Sequence, residues 1–156
     1  VKQMHGCTYS IIPDQIEAGT FMFVKQLSVF IENREGRLEQ VTEVLKEENI
    51  NILSLSMADT TEYGMLRMIV SDPEKALASL KEADYLCKLI DVLGVEVADE
   101  VGNLNELLKA LSDSNVSAEY IYLSFNRDSG KPIMVLYTDD IYEVECCLKS
   151  KGFAML

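Results

Sequence analysis

Two periods of apolar residues run along this chain, and the switches between them divide it into elements. Leu27, Val29 and Ile31 alternate with Ser28, Phe30 and Glu32, a period of two that predicts a strand. The turn Asn33-Arg34-Glu35-Gly36 follows, and then Leu38, Val41 and Leu45 recur at helical spacing. Glu39, Glu43, Lys46 and Glu47 lie on the wet side of that helix. Ile50 to Met57 predicts a second strand, with Leu53, Leu55 and Met57 on one face and Ser54 and Ser56 on the other. A turn from Thr60 to Gly64 leads into a third strand, Met65 to Val70. Asp72-Pro73 opens a helix with a capping carboxylate and a proline at its first position. Ala76, Leu77 and Leu80 form its buried stripe, and Leu86 to Val92 supplies a fourth strand.

The same order then recurs. Val92 to Ala98 reads as a strand, and Leu104, Leu107, Leu108 and Leu111 line a helix. Val116 to Phe125 and Ile133 to Tyr137 form a hairpin around Asn126-Arg127-Asp128-Ser129-Gly130. Asp139 or Asp140 caps a helix carrying Ile141, Val144 and Leu148, with Gly152 as its stop. Phe153 to Leu156 is a short last strand. Sliding the chain along itself by 66 residues places Val29 on Val95, Gly36 on Gly102, Leu38 on Leu104, Asn49 on Asn115, Gly64 on Gly130 and Met68 on Met134, with no gap. Each unit therefore reads βαββαβ.

That order gives the fold class: α+β, two ferredoxin-like βαββαβ units in tandem, with antiparallel sheets and helices on one face. No linker separates the last strand of the first unit from the first strand of the second, so the units are expected to pack as one rigid body. The bare sheet faces and edges call for cover from a neighbouring unit or a second chain. Tyr120 and Tyr122 share a sheet face and are expected to pack against such a neighbour.

Composition narrows the function. The 156 residues carry 14 basic and 26 acidic side chains, a net charge of −12 that argues against a nucleic-acid partner. At 48% apolar and 26% charged residues the composition is that of a globular chain. No apolar run approaches the length that spans a bilayer, and the N-terminal residues lack the order of a secretory signal, so no membrane partner is expected. The 4 cysteines, Cys7, Cys87, Cys146 and Cys147, form no CxxC or Cys/His cluster, which points to reduced thiols in a cytoplasmic protein. Catalytic chemistry is sparse: the single histidine, His5, lies outside both repeats, no Gly-rich phosphate loop follows a strand, and the acidic pairs sit at helix ends. No catalytic residue, metal ligand or cofactor is expected, and the chain is read as no enzyme.

The recurring loop between the first strand and first helix is the candidate site. It reads Asn33-Arg34-Glu35-Gly36-Arg37-Leu38 in one copy and Asp99-Glu100-Val101-Gly102-Asn103-Leu104 in the other. Glycine lets the backbone turn and a small ligand approach, and the helix N-terminus beyond offers unpaired N–H groups to a carboxylate. Asn33 or Asp99 could take an ammonium group or a backbone N–H. The same loop also reads as a plain capped turn.

Two such units in tandem, each with a loop like N-x-x-G-x-L, resemble the ACT domain, and the segment QLSVFIENREGRLEQVTEVLKEENINILSLSMADTTEYGMLRMIVSDPEKA is similar to small proteins made of two of them. The resemblance covers about residues 24 to 156. It implies a regulatory module that binds an amino acid between paired units, with the strand-helix loop of one unit facing the start of the second strand of its neighbour. The positions so implied are Asn33, Glu35, Gly36, Arg37 and Leu38 with Asn51 and Ile52, and Asp99, Val101, Gly102, Asn103 and Leu104 with Ser117 and Ala118. Where the family loop has proline before the glycine, this chain has Glu35 and Val101, which leaves φ there unset. Arg37 is a cation beside the first loop, with Asn103 at the matching place in the second, so the two sites are expected to differ.

Residues 24–89 thus read as a first ACT-like domain and 90–156 as a second. Residues 1–23 read as an N-terminal extension, either non-native or poorly ordered, with Val1-Lys2-Gln3 recurring as Val24-Lys25-Gln26 and Met22 as the expected natural start. Ile11-Ile12-Pro13 could pair on a sheet edge. The function expected is an amino-acid sensor, a homodimer in the cytoplasm, that signals by shifting its domain or subunit arrangement. The alternative is a non-catalytic interaction module that docks an amino-acid biosynthetic enzyme without a ligand of its own.

Overall fold

A computed structural model describes residues 23–59 and 63–156. The expectations for residues 1–22, including His5, Cys7, Ile11-Ile12-Pro13 and Met22, and for Thr60, Thr61 and Glu62 of the first hairpin turn, lie outside the described residues. The elements run β1 (Val24–Glu32), α1 (Arg37–Glu47), β2 (Ile52–Asp59), β3 (Tyr63–Val70), α2 (Pro73–Glu82), β4 (Leu86–Glu96), α3 (Asn103–Asp113), β5 (Tyr120–Phe125), β6 (Pro132–Tyr137), α4 (Ile141–Ser150) and β7 (Ala154–Met155). Every strand pairing is antiparallel, in the order β2-β3-β1-β4-β6-β5, with β7 also on β4.

Where two strands were expected on either side of Val92, there is one. β4 gives Leu86–Val92 to β1 and Leu93–Glu96 to β6, so it is the last strand of one unit and the first of the next. The cause lies in the sequence: Cys87, Leu89, Leu93 and Val95 keep one period-two alternation across Asp91 and Gly94, and both of those residues stay in the extended strand. The boundary expected between residues 89 and 90 falls inside this strand.

The repeat offset also needs correction. Asp59 pairs with Gly64 in the first hairpin and Phe125 with Pro132 in the second. Four residues close the first turn and six close the second, so the offset is 66 before the turn and 68 after it. The helices agree, since Arg37 corresponds to Asn103 but Pro73 to Ile141. The true counterpart of Met68 is Leu136, each standing opposite the equivalent residue of its neighbour, Leu55 or Ile121. The coincidences of Gly64 with Gly130 and of Met68 with Met134 hid a two-residue insertion.

Two expected strands start late. Ile50 and Val116 precede β2 and β5 as loop residues, yet both pack on cores, which is why the apolar pattern overruns the pairing. Asp72 caps α2, accepting from the Lys75 N–H at 3.0 Å.

Three cores result. Leu27, Val29, Val41, Leu45, Leu66, Met68 and Leu80 fill the first, under α1 and α2. Leu93, Val95, Leu107, Leu111, Leu136, Val144 and Leu148 fill the second, under α3 and α4. The third joins Val92, Ile133 and Val135 with Val24, Ile69, Ile90, Tyr122 and Tyr137. These residues alternate with those of the first two cores, so they occupy the faces turned away from the helices. The two sheets therefore cover each other. Their outer strands meet as well: Ser54 Oγ donates to the Leu123 carbonyl at 3.4 Å and Arg127 Nη2 to the Ile52 carbonyl at 3.2 Å.

A polar clamp lies within this interface. Gln26 is fully buried, and its Nε2 donates to Ser28 Oγ at 2.9 Å and to Tyr120 Oη at 2.8 Å, while Tyr122 Oη donates to Gln26 Oε1 at 2.9 Å. The Arg67 guanidinium sits 4.0 Å over the Tyr120 ring, a cation–π contact. Burial pushes the Tyr122 hydroxyl well above its ordinary range, so it stays a donor.

Candidate functional site

Both recurring loops fold alike. Gly36 and Gly102 stand at the N-caps of α1 and α3 with φ of 83° and 101°, a left-handed conformation that few side chains adopt. Both N-cap residues are glycines and supply no side-chain cap of their own. A Cβ at either glycine would meet no atom within 4 Å. Gly36→Val or Gly102→Val is therefore expected to cost about 1–2 kcal/mol through backbone strain alone, read as a lower urea midpoint with an unchanged slope.

Around the loops the two units diverge. In the first, Arg37 Nη2 holds Glu32 Oε2 at 2.9 Å and Nη1 holds Gln40 Oε1 at 3.1 Å, so this guanidinium is engaged within its own loop. Hydrogen bonding to Arg37, helped by nearby Arg34, holds the Glu32 carboxyl below its ordinary value. In the second unit Asn103 replaces Arg37, and its Nδ2 donates to the Ala98 carbonyl at 2.8 Å. Glu35, Val101 and Asp99 are exposed, as are Leu38 and Leu104.

The starts of the second strands lie elsewhere in their own units. Ile52 pairs with Val70, whereas Glu32, beside the first loop, pairs with Tyr63 at the other end of β3. The separation is about 23 Å along the strand. Ser117 and Ala118, just ahead of β5, lie likewise at the end of their unit opposite the second loop. Only the other unit brings these places together. β5 runs against β2 with Leu123 beside Ser54 and Arg127 on Ile52, which directs the start of β5 toward the first loop and sets Ile52 at the end of the second. Asn51 is held locally, its N–H donating to Ser71 Oγ at 3.0 Å.

The inserted turn, 126–131, is the hub of that second end. Lys131 Nζ lies 2.6 Å from Glu96 Oε1, and Asn126 Nδ2 and Ser129 Oγ each donate to Glu96 Oε2 at 3.4 Å. Asn126 Oδ1 shapes the turn by accepting from the Asp128 and Ser129 N–H groups at 2.9 and 3.2 Å. Lys131 above all, with Ser129 and Asn126, holds the Glu96 carboxyl below its ordinary value of 4.5. The contribution of this pair is thus present above pH 4.5 and is lost on acidification below it.

Beside the turn opens a groove of about 230 Å³, lined by Glu96, Val97, Ala98, Asn103, Lys131, Gly152, Phe153 and Ala154. Of the loop residues singled out by sequence only Asn103 reaches it. With the corrected offset, Glu96 and Lys131 correspond to Phe30 and Tyr63 of the first unit, whose rings stack with centroids 5.0 Å apart. An ion pair in one unit replaces an aromatic pair in the other. Among the described residues no three His, Cys, Asp or Glu side chains are grouped to hold a metal, and no helix is long and apolar enough to cross a membrane.

The family described as an ACT domain pair matches residues 22–151. This chain belongs to that family. A solved protein from Bacteroides thetaiotaomicron is 38% identical and superposes with a TM-score of 0.80, over 86% of this chain and 92% of that one. The ligand-free regulatory subunit of aspartate kinase from Thermus thermophilus shares the ACT-pair fold, with a TM-score of 0.58 at 13% identity over 82% of this chain and 92% of that one. A curated UDP-N-acetylglucosamine 1-carboxyvinyltransferase from Clostridium botulinum is 44% identical over 57 residues, 34% of this chain. This ACT pair spans 14% of that relative's length.

Proposed function

We propose that this ACT pair is a non-catalytic regulatory protein that binds a small amino acid at the second strand-helix loop and its groove. The observation that carries the reading is the asymmetry between the units. The second has a groove with the Glu96–Lys131 pair at its mouth, and the first carries stacked rings at the positions of that pair, beside an Arg37–Glu32 pair. Family membership supports a regulatory, ligand-binding role. Asn103 of the loop lines this seat, and its loop neighbours Asp99, Val101, Gly102 and Leu104 are proposed to contribute beside it, with Ile52 across the unit boundary. Asn33, Glu35, Gly36, Arg37 and Leu38 lie at the equivalent place of the first unit, toward which Ser117 and Ala118 are directed.

The shared strand and the buried clamp leave little freedom for the units to hinge on each other. Ligand is therefore proposed to shift the arrangement between chains, as a homodimer or on a partner enzyme, by no more than its differential affinity for the two arrangements. Free thiols at Cys87, Cys146 and Cys147 favour a reducing, cytoplasmic setting. An alternative, ligand-free docking of an enzyme, is favoured by the exposed stripe of Val101, Leu104 and Leu108 on α3 and its loop.

Thermal unfolding of the chain with each of the twenty amino acids at millimolar concentration tests the two. A rise in melting temperature with one amino acid or one chemical class supports the ligand reading. Twenty unchanged curves contradict it and favour docking.

A further inference from the structure

Taking the second unit's groove as the ligand seat, we infer that Glu96 and Lys131 clasp the two charged ends of a small zwitterion, and that each chain holds one such ligand. The pair is built for exchange. Lys131 is 58% exposed and Glu96 17%, so the ammonium reaches solvent while the carboxylate is fixed at the rim. An ion pair this open holds weakly, and it is easily opened. The bonds from Asn126 and Ser129 to Glu96 are long, at 3.4 Å each, which leaves the carboxylate free to accept a ligand ammonium. A zwitterion entering between the two side chains gives its ammonium to Glu96 and its carboxylate to Lys131. Every charge stays paired, which a lone amine or a lone acid cannot achieve.

Size and lining narrow the ligand further. About 230 Å³ lies below the roughly 300–1,000 Å³ of sites for drug-sized molecules, which suits a body of amino-acid size. Val97, Phe153 and Ala154 supply an apolar wall, so an apolar side chain is favoured over a charged one. The first unit has Phe30 and Tyr63 where this clasp stands, and its nearby Arg37 and Glu32 are paired with each other at 2.9 Å. The chemistry of the closing turn residue makes the difference, Tyr63 in the first hairpin and Lys131 in the second. Through Arg127 on the Ile52 carbonyl, the same turn also touches the second strand of the other unit.

Calorimetric titration of the full chain with each apolar amino acid, and with its amine and carboxylic acid analogues, tests the clasp. The expected result is one ligand per chain, at least tenfold weaker binding by Lys131→Met and by Glu96→Gln, retained binding by Lys131→Arg, and no binding of either analogue. Both side chains lie at the rim, and urea unfolding of each variant checks that the fold survives. Binding that is unchanged in Lys131→Met and Glu96→Gln overturns the clasp and leaves the ligand reading standing. Absence of binding by the unmodified chain overturns both.

Discussion

Gln26→Leu is expected to destabilise the protein by about 3 kcal/mol, although leucine matches glutamine in bulk and suits a buried site. Gln26 is the partner of both the Tyr120 and Tyr122 hydroxyls, which come from the opposite unit. Removing it leaves buried hydroxyls unpaired, at about 1–3 kcal/mol for each one fully deprived of water. Tyr122→Phe alone removes one hydroxyl and is expected to cost about 1 kcal/mol. The double variant should cost less than the two single changes added, because the leucine then faces a phenyl ring rather than an orphaned hydroxyl. Urea unfolding of the four proteins measures the coupling directly, and strict additivity would show that the clamp does not join the units.

Gly94→Val is the second large effect, expected at about 2–3 kcal/mol. Gly94 lies in β4 where the strand passes from one unit to the other. A Cβ there would stand 2.9 Å from Leu156 Cδ1, 3.2 Å from Val24 Cγ2 and 3.3 Å from Leu156 Cβ. The Leu156 N–H also donates to the Gly94 carbonyl at 2.9 Å, so the terminal residue is drawn onto this spot and cannot simply move aside. Glycine within a strand commonly marks such a close approach of backbone or ligand. Gly94→Ala is expected to cost less, since it adds only the Cβ and not the two further methyl groups of valine. A valine variant as stable as the parent would mean that Leu156 does not pack on β4.

Much of the fold was legible because each unit writes its pattern plainly. The alternation through Leu27, Val29 and Ile31, the spacing of Leu38, Val41 and Leu45, and the Asp72-Pro73 start all lead to the elements found. What misled was local. Ile50 and Val116 are apolar because they fill cores from loop positions, and periodicity alone does not separate such a residue from a strand end. The continuity of β4 could have been read from the unbroken alternation of Cys87, Leu89, Leu93 and Val95.

The candidate site was only half legible. The recurring glycines identified two loops that do share one unusual backbone conformation. Glu96, Lys131 and Phe153 escaped notice because they come from the end of β4, the β5–β6 turn and the α4–β7 connection, and a groove between distant segments leaves no spacing signal. One clue was available. The turn Asn126 to Lys131 is longer than the first hairpin turn, and an alignment that allowed a gap would have set Glu96 and Lys131 against Phe30 and Tyr63. The gapless match concealed a place where the two units differ in chemistry.

That difference is the core of the account, and amide chemical-shift mapping tests it most directly. The chain would be titrated with an equimolar mixture of the twenty amino acids while its backbone amide spectrum is recorded. The account predicts shifts concentrated at residues 96–104, 126–131 and 152–154, with residues 30–38 and Tyr63 of the first unit unmoved. Shifts centred on the first loop, or equal in both units, would contradict it.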